Sequence, residues 1–115
     1  MAESTILVVD DEADLRIGVT QFLEEEGFHV LMAADGHQAL QILEQSTVDL
    51  VLIDVMMPKL TGPQVVEAIR TRRIARQTAI FYMSAHGNID TGGVSMLRKP
   101  FNLDDLLAIV QSALQ

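Results

Sequence analysis

The sequence predicts an α/β fold in which a parallel β-sheet is covered by helices on both faces. Short runs that are apolar at every position alternate with longer segments in which apolar residues recur every three or four positions. The first pattern is typical of strands buried on both faces, and the second is typical of helices packed against such a sheet. The chain is therefore predicted to consist of repeated strand–helix units.

The predicted strands are the five apolar runs. They cover residues 6–9, 30–32, 50–53, 80–83 and 94–97. The run at 94–97 is the weakest of the five predictions.

Four segments have the periodicity of amphipathic helices. The first ends at Gly27, the second follows Asp35, and the third begins near Pro63, which suits the first turn of a helix. Asn102 is the predicted cap of the fourth helix. The side chains of this helix that are expected to face the core are Leu103, Leu106, Leu107, Val110 and Leu114.

The segment 85–93 interrupts the alternation of strands and helices. It contains Gly87, Gly92 and Gly93 and few apolar residues, and this composition disfavours a helix. We therefore expect the helix before the fifth strand to be truncated, irregular or missing.

Composition sets limits on function. The 115 residues suit one domain, predicted over 1–115, and the absence of cysteine leaves oxygen or imidazole as metal ligands. His29, His37 and His86 lack the mutual spacing of zinc ligands.

The net charge of −8 would repel nucleic acid. The first apolar run ends at Asp10 with no basic segment before it, so we expect no signal peptide, no membrane span and a cytoplasmic location.

A basic cluster ends the third predicted helix. It consists of Arg70, Arg72, Arg73 and Arg76. We interpret it as cations that complement the helix dipole, with a partner-binding patch as the alternative.

Polar side chains follow four of the predicted strands. Asp10 and Asp11 come after the first strand and Asp54 after the third, while Ser84 follows the fourth and Lys99 the fifth. The carboxyl ends of parallel strands meet at one edge of the sheet, so these side chains are expected to share a pocket.

The residue types in this pocket predict phosphoryl transfer. Clustered aspartates raise one another's pKa values and need a cation, and oxygen ligands with room for water favour Mg²⁺. Lys99 and Ser84 could bind an anion held against a carboxylate. Asp54 is best placed to be the nucleophile that forms an acyl phosphate.

Each of these residues also has an ordinary structural interpretation. Asp10 and Asp11 could cap a helix, as could Ser84; Asp54 could begin a turn, and Lys99 could be a solvated surface lysine. Their coincidence at successive strand ends favours the functional interpretation.

Five motifs together resemble the response regulator receiver domain family of two-component signalling, within the CheY-like superfamily. They are 8–12 (VVDDE), 53–58 (IDVMMP), Gly62, 84–85 (SA) and 99–101 (KPF), and they occur in family order across nearly the whole chain. The resemblance implies a doubly wound, five-stranded parallel sheet in the order 2-1-3-4-5, as in flavodoxin-like and CheY-like folds.

The resemblance also implies a signalling role. Asp54 would be the phosphoacceptor, Lys99 would contact the phosphoryl group, and Ser84 would move to hydrogen-bond it. The Lys99–Pro100 peptide is often cis in this family. The implied partners are a sensor histidine kinase or histidine phosphotransfer protein, together with an output domain or downstream protein, and homodimers are a further expectation.

A magnesium site is implied as well. Asp11, Asp54 and the backbone carbonyl of Met56 would coordinate Mg²⁺ directly, whereas Asp10 would act mainly through a coordinated water.

Two features depart from the family pattern. The segment between Ser84 and Lys99 is short and rich in glycine, and Met96 stands where many receivers have a tyrosine or phenylalanine. Both changes affect the expected output face rather than the pocket. His86 and Met56 stand where family side chains influence dephosphorylation.

Three other functions compete with this prediction. A flavin-binding module would need a phosphate-cradling loop where Asp10 and Asp11 stand. A phosphatase of the haloacid dehalogenase type commonly has a second aspartate where Met56 stands. A receiver-like module that binds partners without phosphorylation is the remaining alternative.

Overall fold

The computed structural model describes residues 3–85 and 90–115. Strands and helices alternate through most of this part of the chain. In order, they are β1 (Thr5–Val9), α1 (Ala13–Glu25), β2 (His29–Ala33), α2 (Gly36–Gln45), β3 (Leu50–Asp54), α3 (Gly62–Arg72), β4 (Ala79–Ser84), β5 (Ser95–Arg98) and α4 (Leu103–Ala113).

The strands form one parallel sheet in the order β2-β1-β3-β4-β5, as the family resemblance implied. All five predicted strands are present, with ends that differ by at most one residue. Asp54 and Ser84, expected just after their strands, are the last residues of β3 and β4. Because β1 and β3 are neighbours, the turn after β1 and the end of β3 lie side by side.

Two clusters of buried side chains cover the two faces of the sheet. One includes Leu40 of α2 and Val65 of α3, and the other includes Leu23 of α1 and Leu106 of α4. Every residue of β3 is buried. The continuous apolar runs in the sequence therefore reflect burial on both faces.

The predicted helix starts are confirmed by their caps. The side chains of Asp35 and Asn102 accept hydrogen bonds from backbone N–H groups at 2.9 and 2.8 Å. Thr61 forms a reciprocal capping box with Gln64 at the start of α3, where Pro63 lies in the first turn. Gly27 ends α1 with a positive φ of 96°.

The expectation that Leu103 faces the core was wrong. Its side chain is 45% exposed, whereas Leu106 and Val110 are fully buried. Helical side chains lean toward the amino end, so a side chain at the first helical position projects beyond the helix. Leu107 is only half-buried.

The described residues between β4 and β5, which are 85 and 90–94, form no helix. Gly92 and Gly93 have positive φ angles of 58° and 89° in a turn closed by the N–H of Val94 on the Thr91 carbonyl. The described part of the chain thus contains four helices, as the glycine content of this segment indicated. Residues 86–89, including His86 and Gly87, lie outside it.

The basic cluster lies at the carboxyl end of α3, as expected. Arg72 is in its last turn and forms an exposed ion pair of 2.9 Å with Glu44 of α2. Arg73 follows as the C-cap in the left-handed conformation. Across the residues that the structure describes, no helix is both long enough and apolar enough to span a membrane.

The packing of α3 against the end of β3 requires glycine at position 62, because a side chain there would have no space. Its N–H donates to the Val55 carbonyl at 2.9 Å, and a Cβ here would lie 2.5 Å from the carbonyl oxygen of Asp54. The requirement is for space, since the φ of Gly62 is not positive.

Replacing Gly62 with alanine should lower the free energy of unfolding by about 1–3 kcal/mol, because the backbone at Asp54 and Val55 would have to move. Urea unfolding would measure this effect. Gly18→Ala is the matched control, since a Cβ at this position in α1 meets nothing within 4 Å. It should raise stability by about 0.5–1 kcal/mol, and equal stability of Gly62→Ala and the wild type would contradict the steric argument.

Candidate functional site

Three carboxylates converge at the carboxyl edge of the sheet. Asp10 and Asp11 follow β1, Asp54 ends β3, and one carboxylate oxygen from each lies within 4.8 Å of the other two. Asp10 and Asp54 are buried, at 0% and 8% exposure, whereas Asp11 is exposed. The sequence-predicted pocket is thus assembled, and it opens to solvent at Asp11.

Asp10 has hydrogen-bond partners at every polar atom. Its N–H donates to the Ala33 carbonyl at 3.2 Å, and its carbonyl accepts from Nη1 of Arg16 at 2.7 Å. One carboxylate oxygen accepts from the N–H of Glu12 and the other from Nζ of Lys99, both at 2.9 Å. A buried carboxylate requires such partners.

Asp10 and Asp11 do not cap α1. Glu12 occupies the N-cap position, and its side chain makes no capping hydrogen bond. The helix-cap interpretation of the two aspartates was therefore wrong.

Lys99 lies inside the pocket rather than in solvent. Its side chain is 17% exposed, and its Nζ is 2.9 Å from Oδ2 of Asp10 and 3.5 Å from Oδ2 of Asp54. Its N–H donates to the Ser84 carbonyl at 2.7 Å, and the Lys99–Pro100 peptide is cis, as the resemblance implied. The solvated-lysine interpretation is therefore wrong.

Asp54 and Lys99 have shifted pKa values in the pocket. Burial is the largest cause raising the pKa of Asp54; Asp10 raises it further, while Lys99 and the N–H of Met56 oppose the shift. Burial by itself lowers the pKa of Lys99, but its hydrogen bond to Asp10 and the charges of Asp10 and Asp54 outweigh it and raise that pKa. The expected direction for Asp54 is confirmed, although desolvation contributes more than repulsion.

Ser84 and Met56 complete the predicted set. Ser84 is buried at the end of β4, next to β3 in the sheet. The N–H of Met56 is 3.4 Å from Oδ1 of Asp54, while its side chain is 60% exposed. The backbone of residue 56 thus lies beside Asp54 while its side chain points away to solvent.

The contact between Arg16 of α1 and the Asp10 carbonyl was not predicted from the sequence. The side chain of Arg16 reaches back six residues to the carbonyl of Asp10. The only available signal was a basic residue one turn after an acidic pair, and that pattern does not specify a hydrogen bond to a backbone oxygen.

The donor set of the pocket fits a hard divalent cation. The clustered side chains are all carboxylates, without nitrogen or sulfur, and the exposure of Asp11 gives access to water. Such ligands suit Mg²⁺ better than zinc or another soft metal.

Comparison with known proteins shows which family has this fold and pocket. The family described as the response regulator receiver domain matches residues 6–111. The chain belongs to this family. It is a receiver domain of the kind found in the response regulators of two-component systems.

Curated relatives of this receiver domain include longer and similar-sized proteins. It is 38% identical to the transcriptional regulatory protein CpxR of Escherichia coli, over 96% of this chain and 49% of that protein. It is 31% identical to sporulation initiation phosphotransferase F of Bacillus subtilis, over 99% of this chain and 96% of that protein. The chain therefore spans about half the length of the first relative and nearly all of the second.

Solved structures share the fold. Chemotaxis protein CheY4 of Vibrio cholerae superposes with a TM-score of 0.90 at 31% identity, covering 97% of this chain and 99% of that one. Response regulator TrrA of Thermotoga maritima, solved in complex with Mg²⁺ and BeF, gives a TM-score of 0.85 at 30% identity, covering 96% and 98%.

Replacing Asp54 with asparagine should stabilise the metal-free domain at neutral pH. Because the folded state raises the pKa of Asp54, its stabilising contribution is full below the unfolded value of 3.8 and is lost as the pH rises through the folded value. Urea unfolding in EDTA should therefore show a more stable variant at about pH 7 and a smaller difference near pH 3.5. A wild type that is the more stable protein at neutral pH would contradict this.

Proposed function

We propose that this receiver domain is a Mg²⁺-dependent phosphoacceptor switch in which Asp54 is phosphorylated. The observation that carries the proposal is the convergence of Asp10, Asp11 and Asp54, with the ammonium of Lys99 3.5 Å from Asp54. A carboxylate nucleophile, further carboxylates for a metal and a fixed cation for phosphoryl oxygens are the parts that this chemistry needs.

In this proposal Asp11, Asp54 and the backbone carbonyl of Met56 bind Mg²⁺ directly, and Asp10 binds it through water. The hydrogen bonds of Asp10 support this division, because both of its carboxylate oxygens already have donors in Glu12 and Lys99. The exposed Asp11 has room for a direct ligand role. When bound, the ion supplies positive charge that offsets the charge of the transferring group.

Phosphoryl transfer would form a bond between a carboxylate oxygen of Asp54 and phosphorus, and break the bond between phosphorus and the donor's leaving atom. Lys99 is placed to bind a phosphoryl oxygen once it turns from Asp10. Ser84, at the end of the neighbouring strand, is the proposed hydroxyl donor to another oxygen.

The proposed phosphoryl donor is the phosphohistidine of a sensor histidine kinase or a phosphotransfer protein. A groove lined mainly by apolar groups adjoins the pocket and shares Lys99 with it. Its other lining residues are Glu12, Leu15, Ala85, Pro100 and Phe101. A helix presenting the donor histidine to Asp54 would contact this groove, and its position supports the proposal.

The proposed readout is a change in contacts with an output domain or a separate protein. CpxR is named a transcriptional regulatory protein and is about twice as long as this chain, whereas the sporulation phosphotransferase is of similar length. Both arrangements are compatible with a receiver domain of this size.

Two rival functions have less support. A multiple-turnover phosphatase would need an acid–base group at position 56, where the methionine side chain is exposed and cannot transfer a proton. A docking module that is never phosphorylated would not require Lys99 and three carboxylates to meet in one pocket.

Incubation with acetyl phosphate or beryllofluoride and Mg²⁺ should give an adduct detectable by intact-protein mass spectrometry. The adduct should be absent from Asp54→Asn and from samples with EDTA. TrrA, solved with Mg²⁺ and BeF, is a suitable positive control. A wild type that binds Mg²⁺ but forms no adduct with any donor would favour the docking module.

Lys99→Met should separate metal binding from phosphoryl transfer. The rate of phosphorylation should fall about 100-fold, because a preorganised positive charge is lost from the transferring group. Mg²⁺ affinity should be unchanged or higher, since a cation that competes for Asp10 and Asp54 is removed. Stopped-flow phosphorylation and calorimetric Mg²⁺ titration would measure the two effects, and an unchanged rate would exclude the proposed role of Lys99.

A further inference from the structure

Arg16 makes a specific contact with the turn that carries both aspartates of the β1–α1 connection. Its Nη1 donates to the Asp10 carbonyl at 2.7 Å in a partly buried setting. This carbonyl belongs to the peptide that joins Asp10 to Asp11, so the guanidinium holds the peptide between two of the three clustered carboxylates.

With this contact, every polar atom of Asp10 takes part in a hydrogen bond. The N–H of this residue is held by β2, and its carboxylate is held by the N–H of Glu12 and by Lys99. Asp11 has a different environment, because its side chain is exposed. Among the described residues, none forms a hydrogen bond or ion pair with the Asp11 side chain, so the direction of this side chain depends on the orientation of its backbone.

We propose that Arg16 is a positioning residue that fixes the Asp10–Asp11 peptide and thereby holds the Asp11 carboxylate where it binds Mg²⁺. This inference rests on the proposed metal-dependent function. Arg16 itself is not a metal ligand, and its role is exerted through the carbonyl of Asp10.

The positioning role and a purely electrostatic role predict opposite effects. A positive charge beside the acidic turn repels a divalent cation, so loss of the charge alone would tighten Mg²⁺ binding. Loss of the hydrogen bond frees the peptide and weakens binding, since groups that orient metal ligands typically affect metal affinity 10- to 100-fold.

The test compares three variants of the full chain by Mg²⁺ calorimetry and by the Mg²⁺-induced rise in melting temperature. Arg16→Met keeps much of the aliphatic side chain and removes the donor and the charge. Arg16→Lys keeps the charge and an N–H donor group, on a shorter side chain that lacks the planar guanidinium. Arg72→Met is the matched control, because it removes the same groups from an exposed ion pair with Glu44 on α2.

Arg16→Met should weaken Mg²⁺ binding about tenfold, at the lower end of the range for such orienting groups. Arg16→Lys should recover part of the loss, and Arg72→Met should bind like the wild type. Urea unfolding in EDTA separates this effect from stability, because a merely structural arginine would lower stability without changing the dissociation constant of the folded protein.

Several outcomes would overturn the inference. The first is Mg²⁺ binding by Arg16→Met that is unchanged or tighter than that of the wild type. If Arg16→Met does not fold, the same result with Arg16→Lys would overturn the inference. Weakening of the same size in Arg72→Met would also refute it. A wild type that binds no Mg²⁺ would instead overturn the proposed function itself, so the two failures are distinguishable.

Discussion

The desolvation of Asp10 and Asp54 is the physical constraint on which the pocket depends. A sheet covered on both faces leaves little water at the ends of its central strands, and both carboxylates are almost completely buried there. Burial of a charged group is unfavourable unless the group is paired and hydrogen-bonded. Lys99 pairs with both carboxylates, and the N–H of Glu12 donates to Asp10. The proposed chemistry of the site uses the same lysine.

Lys99 partly offsets the burial of both carboxylates. It comes from the far end of the chain, 89 residues after Asp10, and contacts Asp10 and Asp54 together. The pKa of Asp54 nevertheless stays above its usual value, so one ammonium does not fully offset burial and the charge of Asp10. A further positive charge next to Asp54 would therefore stabilise its ionised form, and the proposed Mg²⁺ would supply that charge.

Much of the fold could be predicted from the sequence, because strands that are buried on both faces appear in it as continuous apolar runs. The starts of α2, α3 and α4 were also predictable, because Asp35, Pro63 and Asn102 are residue types that favour a helix start. The start of α1 was not, since Asp10 and Asp11 do not cap it. The exposure of Leu103 could not be predicted from periodicity alone, because an end position of a helix has fewer neighbours.

The site was less completely predictable. The meeting of the carboxylates with Lys99 followed from strand ends and family motifs, whereas the contact of Arg16 with a backbone carbonyl leaves no sequence pattern. The need for glycine at position 62 could not be predicted either, because only the structure shows that a Cβ there would meet the carbonyl oxygen of Asp54. The dominance of burial over the charge of Asp10 in raising the pKa of Asp54 also required the structure.

The region in which this chain departs from its family is joined to the pocket at both ends. The segment between β4 and β5 begins after Ser84, and β5 ends just before Lys99, whose N–H donates to the Ser84 carbonyl at 2.7 Å. Met96 pairs with Tyr82 in the same two strands and packs against the cluster on the α2–α3 face. Ser84 itself pairs with Arg98 of β5. The movement of Ser84 that the proposed function includes would therefore be passed to β5 through strand pairing, and this route needs no aromatic side chain at position 96.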